Sequence, residues 1–137
     1  MKLSAFTLAV ALSAPAALAE TPGEKPQGPA PVWTKTKAVV CDVTAVQNCR
    51  SGGCEPAPKL PSFRIDVGKQ TICGIVGGAC KNELRLGQVG FDRAGTRMAV
   101  HVLGAAFVIG IDADGAMNGA DVVPGRVVAI QGRCVPG

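Results

Sequence analysis

Between Asp112 and Asp121 the chain carries four oxygen-bearing side chains: Asp112, Asp114, Asn118 and Asp121. Carboxylate and amide oxygens gathered in so short a stretch are the hard ligands that calcium takes. The spacing departs from the helix-loop-helix calcium loop, which needs a glycine at its sixth position and a glutamate at its twelfth. Counted from Asp112, glycine falls fourth at Gly115 and the twelfth residue is Val123. A hairpin turn at Asp114-Gly115, with a bulge or second bend at Asn118-Gly119, accounts for the same residues without a metal. The quartet is a calcium candidate for which the turn is the better explanation. His101, the single histidine, alternates with Arg97 and Ala99 on the polar side of a strand-like run, where it reads as a surface side chain rather than a general base. The nearest serines in sequence, Ser51 and Ser62, stand outside any Gly-x-Ser-x-Gly setting. Nothing marks two acids as a hydrolytic pair. These residues nominate no catalytic group and no cofactor, and an enzyme is the minority expectation.

Cysteine is the other reactive residue type. Cys41, Cys49, Cys54, Cys73, Cys80 and Cys134 are even in number, and no two of them are separated by only two residues. A thioredoxin-like redox pair and a zinc ribbon are therefore not indicated, and no cysteine precedes histidine as haem attachment requires. Disulfides are the expected state in an exported chain. Cys73 and Cys80 flank Gly-Ile-Val-Gly-Gly-Ala, so a hairpin with a four-residue turn over Ile75 to Gly78 brings them face to face, and this is the best single pair. Cys49 and Cys54 enclose a flexible Arg-Ser-Gly-Gly loop that closes on itself, leaving Cys41 for Cys134; a crossing pattern in which Cys49 or Cys54 takes Cys134 stays open.

Export is indicated by the first residues. Met1-Lys2 gives a basic start, Leu3 to Leu12 is apolar apart from Ser4 and Thr7, and Ala17-Leu18-Ala19 is a small-x-small cleavage site. Residues 1–19 read as a signal peptide, since the apolar run is shorter than the roughly 20 residues that span a bilayer. The expected location is periplasmic or secreted, with no membrane span once the signal is removed. Residues 20–34 hold Pro22, Pro26, Pro29 and Pro31 and read as a flexible proline-rich leader, with folding beginning near Trp33. Residues 35–137 form the expected single domain.

That domain must position these residues with strands. Lys37 to Val43 is a first strand, and the cysteine-, glycine- and proline-rich stretch from Ala45 to Pro61 reads as a long loop. Phe63, Ile65 and Val67 alternate with Arg64 and Asp66, the period-two pattern of a half-buried strand. Gln70 to Val76 and Glu83 to Phe91 follow around Gly77-Gly78. Met98, Val100 and Val102 share one face, as do Phe107, Ile109 and Ile111. Pro124-Gly125 is a turn before a closing strand with Val127, Val128 and Ile130. The fold class is all-β: a small disulfide-stabilised antiparallel barrel or sandwich of about seven or eight strands.

The spaced Cys41, Cys49 and Cys54, the Asp112-Ala-Asp114-Gly115 turn and the closing Gly132-Arg133-Cys134 resemble small exported cysteine-rich β proteins of Gram-negative bacteria. The resemblance implies a β-rich periplasmic domain and no activity. The small periplasmic lysozyme inhibitors offer an architectural analogy only, since their inhibitory motif does not map onto these residues.

Composition narrows the function classes. A net charge of +4 with no basic run is too mild for a nucleic-acid footprint. Beyond the signal the aromatics are Trp33, Phe63, Phe91 and Phe107, with no tyrosine, too few to serve both a core and a stacking platform. The expectation is a non-catalytic binding or inhibitor-like module for an envelope or periplasmic protein, with contacts from the Cys49 to Pro61 loop and the turns near Arg93 and Asp114. The alternatives are a small metal-dependent or hydrolytic enzyme using Asp112, Asp114 or His101, and an envelope structural protein.

Overall fold

The computed structural model describes residues 30–34 and 36–137. The signal peptide and nearly all of the proline-rich leader lie outside the described residues. Nine strands follow in order: β1 Ala38–Arg50, β2 Gly53–Pro56, β3 Phe63–Asp66, β4 Thr71–Val76, β5 Ala79–Phe91, β6 Arg97–Val102, β7 Phe107–Asp112, β8 Ala116–Val123 and β9 Arg126–Pro136. Each strand pairs antiparallel with its neighbours, and β9 returns to β1 along Val39 to Cys49, closing an eight-stranded barrel. On the opposite edge of β1, β3 pairs with Ala38 to Cys41 and β2 with Gln47 to Arg50. The extra strand β2 thus extends the wall at one end. The chain is all-β and is a barrel rather than a sandwich, and no helix among the described residues is long and apolar enough to cross a membrane.

Side-chain alternation fills the barrel. Val39, Cys41 and Val43 on β1, Ile65 on β3, Met98, Val100 and Val102 on β6, and Ile109 and Ile111 on β7 all point inward and are buried. The register slips at three places, on β1, between β4 and β5, and on β5 beside β6, and the first and last of these keep the pattern in phase. On β1 the register with β9 slips between Val43 and Ala45, so Val43 and Val46 both face inward although three residues apart. On β5 a slip between Leu86 and Gln88 does the same for Leu86 and Val89. Without the extra residue, every side chain beyond the bulge would turn to the other face.

Several expected boundaries are corrected. The segment from Ala45 onward is not a long loop: β1 runs on to Arg50 and turns back into β2, leaving loop only at 57–62. The glycines and cysteines there belong to a hairpin whose apolar inward residue is Val46. The β4–β5 turn has two residues rather than four, with Val76 opposite Ala79. Gly77 and Gly78 take φ of 60° and 79°, the doubly left-handed turn that suits the twist of a hairpin. Asn118-Gly119 is neither bulge nor bend, since β8 keeps an unbroken register through both residues. Val32 and Trp33 already pack against the barrel. Trp33 is buried, its ring centroid is 6.1 Å from that of Phe91, and the Val32 N–H donates to the Ala113 carbonyl at 3.2 Å.

The disulfides join Cys41 to Cys134, Cys49 to Cys54 and Cys73 to Cys80, with no free thiol among the described residues. Cys41 and Cys134 are register partners on the first and last strands, and both are buried. Such bonds fit a chain folded in an oxidising environment.

Candidate functional site at the open end of the barrel

An up-and-down barrel has two ends, and this one treats them differently. At one end lie the β3–β4, β5–β6 and β7–β8 turns, and there Val32 and Trp33 fold beneath the strands as a plug. At the other lie the β1–β2, β4–β5, β6–β7 and β8–β9 turns and the 57–62 connection, whose Leu60 and Pro61 form part of the rim. The open end leads into an apolar pit of about 450 Å³. Its wall includes Phe63 where β3 starts, Ile72 on β4, Leu84 on β5, Val102 where β6 ends and Phe107 where β7 starts. An eight-stranded barrel is wide enough either to be filled by its own side chains or to hold one small ligand. Here it does the first below and leaves room for the second above.

Among the described residues one ionisable side chain, Asp121, lines the pit. Met117, Gly119 and Asp121 alternate along β8, and Met117 is buried in the core, so Asp121 falls on the inward face. Its register partners are Phe107 on β7 and Val128 on β9. Asp121 is half-buried, and among the described residues no hydrogen bond or ion pair engages its carboxylate. Around the opening the surface is unusually apolar. Leu60, Val76, Leu84, Leu103 and Val122 all sit at this end, and they are five of the eight large hydrophobic side chains left exposed among the described residues.

The four calcium candidates do not form one cluster. Asp112 sits on the outer face of β7 and meets Arg97, Nε to Oδ1 at 3.6 Å, and Asn118 accepts from the same guanidinium at 3.0 Å. Asp114 closes its own turn by accepting from the Ala116 N–H at 3.0 Å. Asp121 lies at the far end of the β7–β8 hairpin, on the inward face. Among the described residues no three His, Cys, Asp or Glu side chains gather where a metal ion would be held. The turn reading therefore describes Asp112 and Asp114, in a loop of three residues rather than two. Gly115 ends that loop at φ 92°, and a Cβ there would collide with the Cys134 carbonyl.

His101 lies on the outer wall beside Gln88 and Val108 and does not line the pit. Ser62 donates to the Asp42 carboxylate on the outside of the barrel. The three expected contact loops divide between the ends: the Cys49 to Pro61 segment borders the open one, whereas the turns at Arg93 and Asp114 belong to the plugged one. They do not make a single surface.

Motif reasoning missed the pit because its walls come from seven strands and no local pattern joins them. One signal was present in the alternation itself: Met117, Gly119 and Asp121 place a carboxylate on a face that is otherwise apolar. Comparison with known proteins finds no matching family model, no matching curated protein and no matching solved structure.

Proposed function

We propose that the chain is an exported, non-catalytic binding module, periplasmic or secreted, that takes its ligand at the open end of the barrel. The observation that carries this reading is the asymmetry of the ends: Trp33 plugs one, and the other opens into an apolar pit of about 450 Å³. Ligand sites are concave, mostly apolar, roughly 300–1,000 Å³ in volume and marked by a few placed polar groups. The pit has those properties, with Asp121 as its ionisable group. Catalysis is less well supported, because Asp121 has neither a second acid nor a nucleophile beside it in the pit lining. The three disulfides and the Ala17-Leu18-Ala19 site support export.

Binding is tested with the neutral fluorophore N-phenyl-1-naphthylamine. The wild-type protein is expected to enhance its emission saturably. Leu84→Asp, which puts a charge on an exposed pit residue, is expected to weaken binding about tenfold or more, since an unpaired charge resists transfer into an apolar site. Val135→Asp alters an equally exposed residue near the plugged end and is expected to bind as wild type does. Equal loss in both variants, or no binding by wild type, overturns the reading.

A further inference from the structure

Resting on that reading, we infer that the pit selects ligands that join an apolar body to a protonated amine, with the Asp121 carboxylate receiving the amine. Three features of the mouth carry this inference. Among the described residues Asp121 is the only ionisable group lining the pit, so it decides the sign of the charge a ligand can bring inside. Its place on the inward face, between Phe107 and Val128 on the adjacent strands, puts the carboxylate where an apolar body lying on those side chains ends. Its oxygens are not engaged by any donor of the chain among the described residues, leaving them available to a ligand.

The chemistry follows from these placements. A half-buried carboxylate with no partner gains from a cationic donor, because charge-assisted hydrogen bonds are shorter and about twice as strong as neutral ones. A carboxylate ligand would bring like charge to the same place and be disfavoured. An uncharged alcohol would make a weaker bond. The expected order is therefore amine, then alcohol, then carboxylate. Lys59, Lys81 and Arg126 are exposed at the same end but do not line the pit. They are the groups that would hold an anionic ligand if the rim rather than the lining controlled selection.

Displacement of N-phenyl-1-naphthylamine by dodecylamine, dodecanol and tridecanoate, each below its solubility or micellar limit, tests the inference, because the three join different head groups to the same twelve-carbon tail. With wild type, dodecylamine is expected to displace the probe at a concentration about tenfold lower than tridecanoate, the size of one charge-assisted hydrogen bond. Asp121→Asn is expected to bring the amine to the level of the alcohol, and Asp121→Lys to reverse the order of amine and carboxylate. Equal displacement by all three, or preference for tridecanoate in wild type, overturns the amine assignment while leaving the open end as the binding site. Failure of the neutral probe to bind at all removes the binding reading itself, so the two failures are told apart. Should either variant not fold, the wild-type head-group series decides alone.

Discussion

Asp92 shows how a single exposed side chain organises the plugged end. Its carboxylate accepts from the Thr96 N–H at 2.7 Å, the Thr96 hydroxyl at 2.7 Å and the Arg97 N–H at 3.1 Å, so one acid satisfies most of the β5–β6 turn. The Thr96 hydroxyl and then the Arg97 N–H hold its pKa below the ordinary carboxylate value, because each bond favours the charged form. A lowered folded-state pKa adds stability that is complete above the ordinary value and is lost as pH falls through the folded one. Thr96→Val is therefore expected to move the Asp92 carboxyl titration upward, toward ordinary behaviour, when followed by NMR. It should also flatten the acid side of the stability profile. An unchanged midpoint would mean that the hydroxyl has no such role. Asp121 presents the opposite case, a carboxylate on an inward face with no donor of the chain engaging it. The first acid completes a turn, and the second is left for a partner.

Among the elements, the hairpins from Arg97 to Ile130 were the most legible in the sequence. Met98, Val100 and Val102, and then Phe107, Ile109 and Ile111, alternate cleanly because each strand has one face in the core and one in water. The first strand was harder to read. Its second half carries Gln47, Asn48, Cys49 and Arg50, and one inward apolar residue, Val46, which the bulge at Thr44 puts out of step with Val43. Pairing to β9 on one edge and β2 on the other holds this stretch, and long-range pairing leaves no mark in local composition. The pit was illegible for the same reason: Phe63, Phe107 and Asp121 meet only once the sheet closes. The staples differ in what they close. Cys41 to Cys134 spans 93 residues and Cys49 to Cys54 spans 5. The chain-entropy estimates are about 4–5 and about 2 kcal/mol. Removing the first pair, by Cys41→Ala with Cys134→Ala, is expected to lower stability in urea by about 2–3 kcal/mol more than removing the second. Equal losses would show that burial and loop length matter little here.

At the scale of the whole molecule, the two ends of the barrel divide the work of folding and binding. Trp33 is the chain's single tryptophan and one of its few large rings, and its burial against the barrel completes a core built mostly from Val, Ile and Met, with Phe63 and Leu86 beside them. Trp33→Ala is expected to cost about 3 kcal/mol, the lower end for removal of a large aromatic, since the ring sits at the edge of the core. Circular dichroism in urea measures the cost, and a loss below about 1 kcal/mol would mean that the plug is dispensable. Closure also has a kinetic side. The β1–β9 pairing joins the two most distant parts of the described chain, the kind of contact that makes β folds slow to form because so long a loop must close before it gains anything. With Cys41 and Cys134 bonded, those strands are already neighbours when the chain is denatured. The oxidised chain then searches as a ring, and its most remote pairing becomes a local one.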